Sequence, residues 1–189
     1  GIGGIATAAR LAKNGYAVTV FEKNEIPGGR CGSMEKDGHR FDTGPTLYLM
    51  PELYQQAFAD LGERLEDHLD LQRVDPTYQI HFSDGLNLTL SADLGFMKTQ
   101  LEAIEPGSFQ GYLRYLAEGG RHYQVSVPNV VVRDFPTPKS FFNLKNLSLL
   151  MKIKALKNHY ANMGNYFQDD RLKFGFIFQN LYMGLNPFR

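Results

Sequence analysis

Apolar residues recur at helical spacing near the start of the chain. Ile5, Ala8, Ala9 and Ala12 fall at i, i+3, i+4 and i+7, and Gly15 follows Lys13 and Asn14 as a stop. The pattern then becomes one unbroken apolar run, Ala17–Phe21, rich in β-formers, which predicts a buried parallel strand. Ser33 to Arg40 predicts strand–turn–strand about Asp37-Gly38, and Phe41–Pro45 follows as a loop. Leu49 to Leu61 predicts a helix, with Pro51 in its first turn, an apolar face of Leu53, Tyr54, Ala57, Phe58 and Leu61, and Gly62 as its stop. Strict alternation appears in Tyr78–Phe82 and Leu86–Leu90 around Ser83-Asp84-Gly85, a β-hairpin with one apolar face.

From Leu94 the spacing is helical again. One helix carries Phe96, Leu101 and Ile104 and closes at Pro106-Gly107; another runs from Phe109 to about Val127. Val130–Val132 predicts a short extended piece. Ser140 to Tyr160 mixes Phe, Leu, Met and Lys; within it Leu149, Ile153, Leu156 and Tyr160 share one helical face, with Lys152 and Lys154 on its flanks and Lys157 nearer the apolar side. Asp169 to Tyr182 predicts a last helix, capped by Asp169 or Asp170 and left through Gly184 and Pro187. The change from mixed to alternating pattern divides the chain into residues 1–75 and 76–189.

Composition narrows the class. With 43% hydrophobic and 21% charged residues among 189, the chain is globular rather than disordered. Lys plus Arg and Asp plus Glu balance at 20 each, so no general basic field favours nucleic acid. One cysteine, Cys31, excludes an internal disulfide and a zinc set, and the five histidines show no metal spacing, so no metal is expected. No apolar run reaches the ~18–20 residues needed to span a bilayer.

The candidate chemistry lies in the first thirty residues. Gly1, Gly3 and Gly4 open the first helix, whose N-terminus suits a pyrophosphate if no Cβ blocks the approach. Glu22 ends the predicted strand about 20 positions on, where a carboxylate accepts ribose hydroxyls and repels a 2′-phosphate. This is a dinucleotide-binding pattern in which Gly1 and Gly4 stand as second and third glycines of G-x-G-x-x-G. The first glycine and its strand are then expected upstream of residue 1, and with no initiator Met the chain reads as a fragment. A glycine-rich turn beside a surface Glu is the competing reading. Gly28-Gly29-Arg30 adds a second glycine pair and a cation; by itself it also reads as a Pro27-Gly28 turn with a solvated arginine.

GIGGIATAARLAKNGYAVTVFEKNEIPGGRC, KDGHRFDTGPTLYLMPELYQQAFADLG, YQIHFSDG and DDRLKFGFIFQNLYMGLNPF together resemble the bacterial and fungal phytoene desaturases, within the flavin amine oxidase-like superfamily. The resemblance covers nearly the whole chain, is looser over about 85–165, and looks more fungal than bacterial. It implies an α/β architecture: an incomplete Rossmann-like FAD-binding domain over 1–75, and a second, substrate-binding domain of β-hairpin plus helices over 76–189. It implies FAD held by Gly1, Gly3, Gly4, Glu22, Lys23, Gly28, Gly29, Arg30, Asp42 and Gly44, with Gly44 letting backbone N–H groups approach the isoalloxazine ring and NAD as a secondary acceptor. It further implies stepwise desaturation of phytoene toward lycopene or more desaturated carotenes. The expected location is peripheral, on the cytoplasmic side of a membrane (endoplasmic reticulum or lipid bodies for a fungal protein). No catalytic residue is named, because the cofactor carries the hard chemistry, and the fragment alone is expected to be inactive. Other readings are an amine or porphyrinogen oxidase of the same superfamily, and a non-catalytic flavin-binding escort protein. The Leu149–Tyr160 stripe is the candidate membrane contact; an amphipathic helix packed on its own domain is the alternative.

Overall fold

The structure is a computed structural model that describes residues 1–45 and 47–188; Thr46, inside the FDTGPTLYLM run, and Arg189 lie outside the described residues. The chain forms two compact units, Gly1–Arg73 and Val74–Arg189.

In the first unit, α1 (Ile2–Lys13) ends where expected, with Gly15 at φ +85°. It pairs with α2 (Pro51–Leu61) through Arg10 to the Asp60 carboxylate at 3.2 Å and Lys13 Nζ to the Asp60 carbonyl at 2.8 Å. Between them lies an antiparallel pair, β1 (Ser33–Lys36) and β2 (His39–Asp42), in the register Ser33↔Asp42 to Lys36↔His39. Asp37 and Gly38 both adopt positive φ, the turn an Asp-Gly pair favours. The predicted strand at Ala17–Phe21 does not form. A parallel strand needs a neighbour to take its hydrogen bonds and cover its faces. Among the described residues the run has none, and Val20 is 60% and Phe21 93% exposed. A parallel sheet is not formed among the described residues, which build helices and two small antiparallel pairs.

The second unit starts with the hairpin of β3 (Tyr78–His81) and β4 (Asn87–Leu90), in the register Tyr78↔Leu90 to His81↔Asn87. Its inward face, led by the fully buried Leu88, meets α3 (Leu94–Ile104), α4 (Ser108–Ser126) and α8 (Asp170–Ile177) in one core. The Gln100 side chain on α3 both accepts from Thr89 N and donates to its carbonyl, at 2.8 Å each, and so clasps the hairpin to the helix. Phe167 and Phe176 stack at 4.8 Å between centroids, with Tyr112 and Tyr115 against Phe176. Two glycines lie in close approach, Gly111 to backbone and Gly175 to a side chain. A Cβ at Gly111 would lie 2.0 Å from the Tyr166 carbonyl oxygen, and one at Gly175 would lie 2.5 Å from Leu88.

Three expectations here change. Val130–Val132 is not extended: α4 runs on into a π-helical turn, Val127–Val131. The last helix is capped by Asp169, whose side chain accepts from Arg171 N, but past Ile177 it tightens into a 3-10 turn, Phe178–Met183, before Gly184. The Leu149–Tyr160 stripe is not one helix. After the short α5 (Pro138–Phe141), α6 (Leu144–Lys152) stops, turns pass Lys154 at φ +56°, and Tyr160 belongs to α7 (His159–Met163). Leu149, Ile153 and Tyr160 are partly buried, so three of the four proposed anchors face the protein.

Candidate functional site

The glycine-rich segments meet within the first unit. α1 starts at Gly1 with no side-chain cap and no acid in its first turn, so its first amides are left for an external acceptor. Gly28-Gly29 lies against that end: a Cβ on Gly29, at φ +60°, would sit 3.1 Å from the Gly1 Cα. Only glycine fits both the backbone angle and the gap. Gly28 (φ +138°) leads into a 3-10 turn, Gly29–Cys31, closed by Cys31 N donating to the Gly28 carbonyl at 3.1 Å.

The loop after β2 crosses the same turn. Thr43 donates to the Gly32 carbonyl twice, from its backbone N and from its hydroxyl, both at 2.9 Å. This staple lays Gly44 over Arg30, where a Cβ would fall 1.6 Å from the Arg30 carbonyl oxygen. The Gly1, Gly28–Gly32 and Thr43–Gly44 backbones thus form one cluster built on glycine. Thr43 and Gly32 were not singled out in the sequence; the D-T-G-P run was the signal, but the partner carbonyl is eleven residues away.

The other candidates stand apart from these contacts. Glu22 is exposed and accepts from Asn24 N at 3.0 Å, a local turn that holds one carboxylate oxygen. Lys23, the Arg30 side chain and Asp42 are exposed, Asp42 as the last residue of β2. Gly3 and Gly4 face open space, with nothing within 4 Å of a Cβ built on either. No contact among the described residues requires their lack of side chains, and it leaves room for a ligand at the helix end. Gly44 is the reverse case: the Arg30 carbonyl already demands its close approach. An uncapped, acid-free helix start beside a glycine backbone suits a pyrophosphate.

A second polar cluster, which no local sequence signal announces, lies in the other unit. Glu118 on α4 takes Lys154 Nζ at 2.6 and 2.7 Å and Asn162 at 3.4 Å. Burial works to raise its carboxyl, but hydrogen bonds from Lys154, Tyr166 and Asn162 prevail and hold it at about 2. The Tyr166 hydroxyl is pushed up to about 12 by burial and then by Glu118. These groups line a cavity of about 230 Å³ with His122, His159 and Gln179. Their partners lie 36 and 44 residues from Glu118 in sequence, so only folding brings them together.

The chain matches the model of a family described as flavin containing amine oxidoreductase over residues 2–186. It is 40% identical to a zeta-carotene-forming phytoene desaturase of Myxococcus xanthus, over all of this chain and 36% of that protein. It is 41% identical to a phytoene desaturase of Phycomyces blakesleeanus, over all of this chain and 32% of that one. A 4,4'-diapophytoene desaturase of Staphylococcus haemolyticus is 38% identical over 99% of this chain and 37% of its own length. The chain therefore spans about a third of the length of these curated relatives. Fungal relatives match at 41–43% identity and bacterial ones at 34–40%.

Proposed function

The chain belongs to the family of flavin containing amine oxidoreductases, and from that premise we propose that it is part of an FAD-dependent desaturase of phytoene or a closely related long polyene. The observation that carries this is the match to carotenoid desaturases along the whole chain at about 40% identity. In this reading Gly1–Arg73 belongs to the nucleotide-binding part and Val74–Arg189 to the substrate-binding part.

The α1 N-terminus, with Gly1, Gly3 and Gly4, would hold the pyrophosphate through backbone amides and the helix dipole. Glu22 would accept the ribose hydroxyls, with Lys23 beside it, which favours an unphosphorylated ribose. Gly28, Gly29, Arg30, Asp42 and Gly44 would form the wall nearer the flavin. FAD, when bound, supplies the two-electron acceptor for removing hydrogen from a CH–CH pair, so that a double bond forms; an external oxidant, NAD among the candidates, then restores it. The chain's part is to position the substrate carbon and exclude competing reactions. Because the substrate is a hydrocarbon, the protein is proposed to work at a membrane surface, on the cytoplasmic side.

Two measurements test the reading. Cofactor released from the purified whole protein should be FAD; nicotinamide without flavin overturns the assignment. The whole gene, expressed in cells that make phytoene, should turn them from colourless to yellow or red; a flavin-loaded protein that leaves phytoene untouched overturns the desaturase.

A further inference from the structure

We propose that the outward face of α6, with the turns on either side of it, is the surface by which the protein rests on an anionic lipid bilayer. This rests on the reading of a hydrocarbon substrate and identifies where the protein meets the membrane. The face shares only Leu156 with the stripe that the sequence suggested.

On α6, Leu144, Leu147 and Met151 fall at i, i+3 and i+7 and are 87%, 53% and 66% exposed. Phe142 before the helix is 76% exposed, and Leu156 after it 80%. The inward side carries the buried Asn146 and the partly buried Leu149, Leu150 and Ile153. No helix of the described residues is long and apolar enough to cross a membrane.

The exposure is built into the structure. Thr137 and Ser140 form a reciprocal capping box on α5, and Asn143 caps α6 by accepting from Asn146 N at 2.9 Å. The buried Asn146 amide donates to the Phe141 carbonyl at 2.7 Å and the Ser140 carbonyl at 3.4 Å. This corner satisfies its own polar groups and holds Phe142 and Leu144 outward. At the other end, the pairing of Lys154 with Glu118 fixes the turn that carries Leu156. Apolar groups this exposed on a fixed frame mark an interaction surface.

Charge selects the occupant. From residue 135 to residue 168 there is no Asp or Glu, while Lys139, Lys145, Lys152, Lys154 and Lys157 all fall in that span. Lys154 is taken by Glu118; the other four are exposed. A second copy related by a two-fold axis would place lysines against lysines. An apolar stripe flanked only by cations fits acyl chains beneath anionic headgroups, with long stems reaching the phosphates.

The test is flotation of the whole protein with vesicles of phosphatidylcholine, alone or mixed with phosphatidylserine. Binding should require the anionic lipid, weaken with salt, and fall about fivefold for each lysine neutralised among Lys139, Lys145 and Lys152. The variant Leu144→Ser/Leu147→Ser/Met151→Ser should lose flotation and keep its flavin. If it loses flavin as well, the lysine variants decide, and unchanged binding by them overturns the proposal, as does unchanged flotation of a flavin-loaded serine variant. Hydrogen exchange needs no variant: residues 138–157 should gain protection only when anionic vesicles are added. Protection without vesicles means that another segment covers the face; if the serine variant then also has half the native mass, a second copy does. Either result overturns the proposal. Flotation does not depend on turnover, so vesicle binding without pigment would count against the desaturase reading alone.

Discussion

The two units are held together by different means. Among the described residues, the buried hydrophobic side chains of the second unit include Leu88, Met97, Leu101, Phe167 and Phe176, whereas the first unit contributes only Leu65. The first unit instead relies on backbone crossings, Gly29 on Gly1 and Gly44 on Arg30, and on two polar ties from α1 to Asp60. Its apolar residues are largely on show: Ile2 is 56%, Ile5 57% and Phe21 93% exposed. A core stabilises through area removed from water; a glycine crossing contributes shape and little burial. A nucleotide bound at the glycines would add to the stability of that unit, since a ligand stabilises whatever state binds it.

The sharpest way to break this comparison is at the core. Phe167→Ala, at a fully buried ring stacked on Phe176, should cost about 3–5 kcal/mol. Urea unfolding would read it, and a loss below about 1 kcal/mol would show that the second unit does not depend on its core.

Next come the glycines. Gly44→Ala places a methyl group into the Arg30 carbonyl and should destabilise the first unit by about 1–3 kcal/mol or more. Gly4→Ala enters open space, so it should leave the circular dichroism unchanged and lower only flavin content. Equal flavin loss with equal unfolding from both would erase the distinction between a glycine needed by the chain and one needed by a ligand. Glu22→Ala, at an exposed residue, should weaken FAD binding by about 1–3 kcal/mol without affecting the fold; calorimetric titration of the apoprotein measures it.

The smallest effect is a slope with pH, and it is steeper for the second unit. Glu118 sits at about 2 in the folded protein, below its ordinary 4.5. Its contribution is present above pH 4.5 and is lost as the pH falls from there through about 2. Asp84, Glu102, Asp169 and Asp170 are lowered as well, by backbone amides at Asp84 and Glu102, by Arg171 at Asp169 and by Lys173 at Asp170. All of them belong to the second unit; in the first, Asp60 is lowered by Gln56 and Arg10. Acid should therefore erode the stability of the second unit more steeply than that of the first. Unfolding followed at pH 7, 4 and 3 by probes in each unit checks this, and Glu118→Gln should flatten the slope for the second unit.

Local signals in this chain were legible because their causes are local. The stop of α1 at Gly15, the Asp37-Gly38 turn, the hairpin register around Ser83–Gly85 and the Asp169 cap depend on residues within a few positions of one another. So did the glycines and Glu22 as candidates. The strand at Ala17–Phe21 was legible as a pattern but did not form, because a strand exists only through neighbours. The Leu149–Tyr160 stripe did not lie on one helix for a related reason: periodicity shows that a stripe exists, not where its helix ends or which side meets the protein. Sequence alone determined which residues are apolar, which turns are glycine-dependent, and which family the chain resembles. Tertiary structure alone decided that Gly44 lies on Arg30, that Glu118 meets Lys154, and that Leu144 rather than Leu149 faces outward, because each depends on segments distant in sequence arriving at one place.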